Sequence, residues 1–348
     1  MDKERMKCLV QDSQAVSVRF PRIMIAAEKS GGGKTLFTCA LLSLLKEKIQ
    51  EVRAFKCGPD YIDPMFHRTV LEIPSRNLDS FFADGDTLRY LLGREVLEME
   101  KFPESRIAVL EGVMGFYDGL GGVSERSSAW EVADLTDTPV ILLVDMKGRS
   151  LSALASIKGF LDYKEKSHVT GVIFNRLSPM LYPGLKERAE RELGIRVFGY
   201  VPELKNLTLE SRHLGLVMPE EILGIRERLD LIKEKVRAGI NLDGIIEESG
   251  RAAEIVVKLP EAAGRSISDQ STQKTVVAVA KDEAFCFYYE DNLDLLKKLG
   301  AEIQDFSRST TETFRREPAQ SILAAVIRSF TRKHFQKISV CGMRSVRR

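Results

Sequence analysis

The chain has 348 residues, of which 44% are hydrophobic and 29% charged, and its formal net charge is +2. This composition is ordinary for a globular protein and excludes long disorder, coiled coil and collagen as the main character of the chain. The near-balance of charge gives no reason to expect nucleic acid or a membrane as the main partner. Residues 307–348 are the exception, because they contain ten Lys/Arg and only two Glu.

The sequence contains no sign of a membrane segment or of a secreted protein. No apolar run approaches the length of about 18 residues that a membrane span needs, and the opening residues MDKERMKCLVQDSQ lack the apolar stretch of a signal peptide. Five cysteines are scattered without CxxC spacing, which predicts neither a disulfide framework nor a zinc site. We therefore expect a cytoplasmic protein.

Short apolar runs alternate with helical patterns from residue 21 onward. The predicted strands are 22–27, 52–57, 106–112, 139–145, 168–177 and 196–201, and the predicted helices between them include 35–49, 86–93, 149–161 and 182–192. This alternation predicts an α/β fold, a parallel sheet with helices on both faces. In such sheets the functional residues lie at the carboxyl ends of the strands.

The patterns divide the chain into five segments. We expect a disordered extension over 1–20, a P-loop domain over 21–263, a linker over 264–274, an incomplete α/β unit over 275–306 and a basic, atypical tail over 307–348. The linker is rich in Ser and Gln, and a new strand–helix–strand pattern begins directly after it.

A glycine-rich sequence lies between the first predicted strand and helix, where a phosphate-binding loop is expected. The residues expected to bind nucleotide phosphates are Ser30, Gly31, Gly32, Gly33, Lys34 and Thr35. Lys34 would reach the β and γ phosphates, and the Thr35 hydroxyl would bind Mg²⁺. Glu28 replaces the usual first glycine, and Lys29 stands where deviant Walker ATPases carry a signature lysine. That class of ATPase therefore stays open as an alternative.

Acidic residues follow two further strands. Asp60 and Asp63 lie in CGPDYIDPMFH (57–67), Glu111 ends a strand as a Walker B acid does, and Asp118 lies in the Gly-rich EGVMGFYDG (111–119). Carboxylates beside a phosphate loop commonly hold Mg²⁺ directly or through water. The alternatives are an Asx turn for the first pair and an ordinary strand-end acid for Glu111. Asp145 also ends a strand and is a further candidate for the site. The alternative is that it caps the N-terminus of the following helix.

Several longer motifs together resemble one family. PRIMIAA, SGGGKT, FKCGPDYIDPMFH, PSRNLDSFF, EGVMGFYDG, IFNR, GYVPE, SRHLGL and DEAFCFYYEDNLDLL are similar to the cobyrinic acid a,c-diamide synthase family, within the dethiobiotin-synthetase-like P-loop group, over residues 21–306. The resemblance implies a carbon–nitrogen ligase that uses ATP and Mg²⁺ to amidate the a and c acetates of cobyrinate through acyl phosphates. A close relative amidates nickel-sirohydrochlorin, so a tetrapyrrole polycarboxylate is implied as the substrate and ammonia or glutamine-derived ammonia as a second reactant.

The resemblance also implies roles for individual residues. The implied catalytic residues are Lys56, Asp60, Asp63, Glu111 and Asp118. The implied metal ligands are Thr35, Asp60 and Glu111, and Asn175 would read the adenine. The implied substrate-side residues are Tyr61 and Ile62 at the macrocycle, with Arg76 and Asn77 as further candidates.

The resemblance stops after Phe306, before any glutaminase nucleophile. Family members continue with a GGGYPE-type loop, a nucleophilic Cys and a later His; here Cys341-Gly342 is followed by six residues without His. A thiol that hydrolyses glutamine needs such a base, so we expect amidation with free ammonia and a tail that is truncated or read in another frame. A dimeric deviant Walker switch and an inactive remnant that binds ATP at most stay open, as does a homodimer of the synthase.

Overall fold

The computed structural model describes residues 15–97, 105–204, 219–259, 275–281, 287–306 and 320–322. The chain divides into two compact units, Met1–Ser266 and Ile267–Arg348. The division falls within the expected linker 264–274, which lies outside the described residues together with most of the basic tail. Among the helices of the described ranges, none has the length and apolarity that crossing a membrane requires.

A seven-stranded sheet with the order β4-β3-β5-β2-β6-β7-β8 forms the centre of the first unit. All its neighbouring strands are parallel, which confirms the predicted fold class. The strands are β2 (Arg22–Ala27), β3 (Glu51–Cys57), β4 (Ser75–Leu78), β5 (Arg106–Glu111), β6 (Val140–Asp145), β7 (Val169–Asn175) and β8 (Arg196–Val201).

Eight described helices belong to the first unit. They are α1 (Lys34–Lys46), α2 (Ile62–Thr69), α3 (Gly85–Leu97), α4 (Ala129–Leu135), α5 (Ser152–Asp162), α6 (Tyr182–Leu193), α7 (Pro219–Gly239) and α8 (Leu242–Ser249). The helices and the sheet enclose two hydrophobic clusters, and β2 contributes to both. Met24 and Ala26 belong to one cluster, whereas Ile23 and Ile25 belong to the other. A strand covered on both faces has no polar alternation, and this explains the continuous apolar run IMIAA that follows Arg22.

A small antiparallel ladder corrects the expected disordered extension. β1 (Ala15–Val18) pairs with β9 (Ile255–Lys258), so that Val18 lies opposite Ile255, and Phe20 is fully buried. The extension therefore does not reach residue 20, and residues 1–14 lie outside the described residues. The short elements β1, β4, β9, α2 and α4 were not predicted from the sequence, and β4 is polar in three of its four residues, SRNL.

The second unit contains a three-stranded parallel sheet with the order β11-β10-β12. Its elements are β10 (Val276–Ala280), α9 (Glu290–Lys298), β11 (Glu302–Phe306) and β12 (Gln320–Ile322). The expected strand–helix–strand pattern is present. β12, however, lies inside the segment expected to be an atypical tail, so regular structure continues past Phe306. A strand of three residues gives too little alternation to be recognised from sequence.

Candidate functional site

The site residues predicted from the sequence lie along the carboxyl edge of the seven-stranded sheet. The glycine loop follows β2, residues 58–61 follow β3, and residues 112–128 follow β5. Asp145 and Asn175 are the last residues of β6 and β7. Because the strands are parallel, these ends meet at one edge, as is usual for sites in open α/β sheets.

The glycine loop follows a path that side chains would obstruct. Gly31 and Gly33 have φ angles of +70° and +90°, in the left-handed region that favours glycine. A Cβ on Gly33 would lie 2.5 Å from Nδ2 of Asn175. The loop leads directly into α1, whose first backbone N–H groups have no partner within the helix and form a natural site for an anion.

Lys34 begins α1 and is almost entirely buried. Its Nζ donates to the carbonyl of Lys29 at 3.3 Å and to the carbonyl of Met114. Burial, and then the positive charge of Lys56, lowers the pKa of Lys34 to about 8. An anionic oxygen at this place would favour the charged form of the lysine, as a nucleotide phosphate does.

Thr35, Lys56, Asp63 and Glu111, which we call the inner cluster, join α1, β3, α2 and β5. Oε1 of Glu111 accepts hydrogen bonds from the Thr35 hydroxyl at 2.8 Å and from Nζ of Lys56 at 2.9 Å. Lys56 also donates to Asp63, whose Oδ2 lies 3.3 Å from Oγ1 of Thr35. The expected convergence of these four residues is therefore present in the fold.

Burial and mutual charge shift the pKa values within the inner cluster. Burial, and then the charge of Asp63, raises the pKa of Glu111 to about 8. Burial alone would lower the pKa of Lys56, but the charges of Glu111 and Asp63 outweigh it and raise this pKa. Asp63 is also buried, yet the attraction of Lys56 lowers its pKa. One ammonium group thus serves two carboxylates, which leaves the inner cluster able to accept further positive charge.

Asp60 faces the solvent side of the same group. Its side chain is 31% exposed, with Oδ2 at 3.7 Å from Nζ of Lys56. Its Oδ1 accepts the backbone N–H of Ile62 at 2.9 Å, so the Asx-turn interpretation holds alongside any role in ligand binding. Burial, and then the charge of Asp63, raises the pKa of Asp60. Tyr61, which follows Asp60 in the sequence, is half-buried. Its contact with a macrocycle stays a prediction.

Asn77 lies at the end of β4 and orients the loop after β3. Its buried Nδ2 donates to the carbonyls of Gly58 at 3.1 Å and Asp60 at 2.6 Å. In register, Asn77 pairs with Lys56 and Arg76 with Phe55, so Arg76 points to the other face of the sheet. Neither residue is among the described residues that line the cavity. The contacts of Asn77 indicate that it positions Asp60 and do not indicate contact with substrate.

Asp118 shapes the loop that follows β5. Its Oδ2 accepts the backbone N–H of Gly115 at 3.0 Å, and a Cβ on Gly115 would lie 2.3 Å from that oxygen. The carbonyl that Lys34 contacts, that of Met114, lies in the same turn. Asp118 also adds to the negative field that acts on Lys34. Its contacts thus place it in the support of the phosphate lysine, and its predicted catalytic role stays a prediction.

Asn175 contacts the glycine loop from the other side. Its Nδ2 donates to the carbonyl of Gly32 at 2.9 Å, and the residue lines the cavity. This contact fixes the glycine loop against the end of β7. The expected reading of adenine by Asn175 stays a prediction.

A second group of charges, which sequence reasoning did not assemble, lies beside the first. Glu28, Lys29, Asp145, Arg149 and Arg176, which we call the outer cluster, join the ends of β2, β6 and β7. Arg149 donates to Glu28 at 2.8 Å, and Glu28 also accepts the N–H of Asp145 at 3.2 Å. Asp145 accepts from Arg176 at 2.8 Å and pairs with Lys29 at 3.2 Å. Asp145 is not the N-cap of α5, which begins after Leu151.

His67 is fully buried on α2, one helical turn after Asp63. Its Nδ1 lies 3.2 Å from the hydroxyl of Ser75, and its Nε2 lies 3.8 Å from Oε2 of Glu111. Within the described residues, neither of these last two atoms has a hydrogen-bond partner. Burial lowers the pKa of His67 to about 4. The four-residue spacing of Asp63 and His67 could have indicated from the sequence that both side chains lie on one face of α2.

The glycine loop, three residues of the inner cluster and Arg176 of the outer cluster border one cavity of about 720 Å³. Its charged and polar lining includes Ser30, Lys34, Thr35, Lys56, Asp60, Asp63, Lys147, Asn175, Arg176 and Glu203. Its apolar lining includes Leu36, Phe37, Ile62, Val113, Val201, Ile232 and Val236. A cavity with one charged and one apolar side suits a ligand that has both phosphates and an aromatic ring.

The donor set of the inner cluster suits Mg²⁺ better than a softer metal. In the part of the chain that the structure describes, no group of three His, Cys, Asp or Glu side chains could hold a metal by itself. Mg²⁺ is usually held by one or two carboxylates with waters and phosphate oxygens. The Thr35 hydroxyl and the carboxylates of Glu111 and Asp63 match that requirement.

A parallel sheet, a glycine loop that leads into a helix and a hydroxyl beside two buried acids define a P-loop nucleotide-binding protein. Residues 23–217, more than half of the chain, match the model of the CobQ/CobB/MinD/ParA nucleotide binding domain. The chain belongs to this family. The resemblance predicted from the motifs is thereby confirmed.

The chain is similar to several proteins named cobyrinate a,c-diamide synthase. Those of Listeria monocytogenes serotype 4b (strain F2365) and Priestia megaterium are 39% and 36% identical to this chain, each over 82% of it. That of Thermoplasma volcanium is 37% identical over 85%. The chain spans only 61%, 60% and 62% of these proteins. Among solved structures, a signal recognition particle receptor FtsY from Elizabethkingia anophelis aligns with 66% of this chain and 71% of its own length, at 14% identity and a TM-score of 0.39.

Proposed function

We propose that the first unit catalyses the ATP- and Mg²⁺-dependent amidation of the a and c acetate carboxylates of cobyrinate, through acyl phosphates and with ammonia as the nitrogen source. The observation that carries the proposal is the inner cluster, in which a buried ammonium group stands between two carboxylates beside a phosphate loop. The similar proteins named cobyrinate a,c-diamide synthase support this substrate.

The chemical problem is the low reactivity of a carboxylate toward ammonia, since its negative charge repels a nucleophile. Transfer of the γ-phosphoryl group from ATP to one carboxylate oxygen forms an acyl phosphate and releases ADP. Ammonia then attacks the acyl carbon, inorganic phosphate leaves, and an amide remains. Such transfer depends mainly on positioning and on neutralising charge.

The residues of the chain meet these needs in distinct ways. Lys34 binds the β and γ phosphates, and the ammonium of Lys56, held at the cavity by Glu111 and Asp63, stabilises charge on the transferred group. Asp60 lies between this ammonium and the solvent, where it would orient the substrate. Mg²⁺ would be held by Thr35, Glu111 and Asp60 or Asp63, where it neutralises phosphate charge when bound.

We further propose that residues 21–263 contain the complete amidation site and that residues 275–306 begin a glutaminase-like unit. All residues of the inner cluster and the cavity belong to the first unit. Ammonia can therefore be supplied as a salt, and the amidation can be tested independently of any glutaminase.

The proposal is tested by incubating the protein with ATP, Mg²⁺, an ammonium salt and cobyrinate whose carboxylates are labelled with ¹⁸O. We expect product with the mass of a diamide and ¹⁸O in the released phosphate, because the acyl phosphate passes one carboxylate oxygen to phosphate. Lys34→Met is the matched control and should give neither. ATP hydrolysis without transfer of ¹⁸O would overturn the acyl-phosphate route, and amidation of nickel-sirohydrochlorin alone would change the assigned macrocycle.

The alternative of a dimeric ATPase switch depends on Lys29, and its contacts do not favour that function. Its Nζ pairs with Asp145 of the same chain at 3.2 Å. A switch lysine has to be free to reach the nucleotide of a second copy. Lys29 is instead part of the outer cluster.

A further inference from the structure

The proposed function gives no role to His67, although the residue is fully buried against Glu111. Its Nε2 and Oε2 of Glu111 are separated by 3.8 Å, and within the described ranges neither atom has a hydrogen-bond partner. Buried polar atoms without partners are uncommon and each needs an explanation. A shift of about 0.8 Å would bring the two atoms to hydrogen-bond distance.

The surroundings of His67 determine which nitrogen faces Glu111. Ser75, at the start of β4, holds Nδ1 at 3.2 Å. When the hydroxyl donates to Nδ1, the ring proton of a neutral imidazole lies on Nε2. The N–H then points at Oε2 of Glu111, while Oε1 of the same carboxylate accepts from Thr35 and Lys56.

We propose that His67 is a positioning residue that holds Oε2 of Glu111, so that Oε1 stays turned toward Thr35 and Lys56. Glu111 is fully buried, and a carboxylate that is held at one oxygen only can turn about its last bond. His67 restricts that rotation and thereby keeps a Mg²⁺-binding oxygen on the nucleotide side. The proposal rests on the proposed function only in taking Glu111 as a ligand of Mg²⁺ in the nucleotide complex.

Two amide substitutions separate this role from simple packing. In His67→Gln the side-chain amide nitrogen lies near the position of the histidine Nε2, so it can still donate a hydrogen bond to Oε2 of Glu111. In His67→Asn the amide stands near the place of Nδ1, keeps the contact with Ser75 and loses that donor. Both variants are polar, lack the ring and add no charge, so they share most of the loss of packing and differ by one methylene group.

The measurement is the Mg²⁺ concentration that gives half of the maximal binding of ATP, determined by calorimetry without macrocycle. Residues that orient a metal ligand typically change metal affinity by roughly tenfold or more. We expect His67→Asn to raise this concentration about tenfold and His67→Gln to stay within about twofold of the wild type. Equal Mg²⁺ dependence of His67→Asn and wild type, or equal loss in both variants, would overturn the proposal.

A second measurement addresses the path through Glu111. In a Glu111→Gln background, His67→Asn should cause no further change in Mg²⁺ dependence, because the group that it orients has been replaced. If His67→Asn still raised the required Mg²⁺ concentration tenfold in the Glu111→Gln background, His67 would not act by orienting Glu111. If both His67 variants unfold, Ser75→Ala replaces them and should show a smaller shift in the same direction, and no shift would count against the proposal. Wild-type protein that binds ATP but forms no amide would contradict the proposed function alone.

Discussion

Two groups of charged side chains stand along one sheet edge, the inner cluster at the ends of β3 and β5 and the outer cluster at the ends of β2, β6 and β7. The side chain of Lys56 in the inner cluster is 4% exposed, whereas that of Lys29 in the outer cluster is 63% exposed. In the outer cluster both carboxylates have several donors. In the inner cluster a single ammonium group, that of Lys56, serves both Glu111 and Asp63.

This difference separates a group that can bind a ligand from a group that supports the fold. Buried charges with unfilled hydrogen-bonding capacity gain most from an incoming ion or phosphate, since the surroundings screen them little. The carboxylates of the outer cluster, Asp145 and Glu28, are also buried, but they are already paired and gain little. We therefore expect substitutions in the inner cluster to affect activity and stability strongly, and those in the outer cluster to affect mainly stability.

The largest effect is expected from Lys56→Met, which removes the shared cation of the inner cluster. Glu111 and Asp63 would then face each other while buried, which should lower the free energy of unfolding by about 3–5 kcal/mol. Amidation with ammonium should fall roughly 10²–10³-fold, as on loss of one electrostatic group. Urea unfolding and product mass measure the two effects.

A double variant serves as the control for Lys56→Met. Adding Glu111→Gln removes one of the two negative charges that repel each other, so part of the lost stability should return while activity stays low. Wild-type stability of Lys56→Met itself would show that the inner cluster is not held by this charge.

An intermediate effect is expected from Asp145→Asn in the outer cluster. Burial would raise the pKa of Asp145, but the N–H of Lys147 and the cations Lys29 and Arg176 outweigh it and lower this pKa. Its stabilisation is therefore complete above the ordinary pKa of about 3.9 and is lost as the pH falls through the lower folded value. The variant should unfold about 1–2 kcal/mol more easily at pH 7.

The pH dependence checks the cause of that loss. Urea unfolding of both proteins between pH 7 and pH 3 should show the difference between them shrinking below about pH 4, where the carboxylate of the unfolded wild-type chain takes up a proton. A difference that stays constant down to pH 3 would mean that charge is not the cause. Amidation at pH 7 should change far less than in Lys56→Met.

The smallest effect is expected from Lys29→Ala. One exposed ion pair, with Asp145 at 3.2 Å, contributes at most about 1 kcal/mol. Amidation should stay within about twofold of the wild type, whereas Lys34→Ala, five residues later, should abolish nucleotide binding. A Lys29→Ala protein that loses ATP hydrolysis together with nucleotide-dependent dimerisation would favour the switch ATPase after all.

Much of the inner cluster could be predicted because its members lie at or after the end of an apolar strand, or begin the helix after the glycine loop. Parallel strands bring such ends together, so Lys56 and Glu111 could be expected to meet from local sequence alone. The role of Asn77 could not, because it depends on which residue of β4 lies beside Lys56. The sequence of one strand does not by itself determine its register with a neighbouring strand.

The outer cluster escaped prediction for a different reason. Glu28 and Arg149 are 121 positions apart in sequence and belong to no shared pattern. Each is also an ordinary surface residue by type, so that only the three-dimensional arrangement brings out their pairing. The ladder of β1 and β9 is a similar case, since Ala15 and Lys258 become neighbours only in the fold.

The ladder of β1 and β9 brings residues from the two ends of the first unit next to each other. Ala15 lies opposite Lys258 on adjacent strands, whose usual spacing is about 4.8 Å, so a short added peptide could join residue 258 back to residue 15. The chain could then be opened at 163–167, in the turn between α5 and β7 at the edge of the sheet away from the cavity. Such a circular permutant would keep every residue of the inner cluster on its own strand or helix while reversing which half of the sheet is synthesised first.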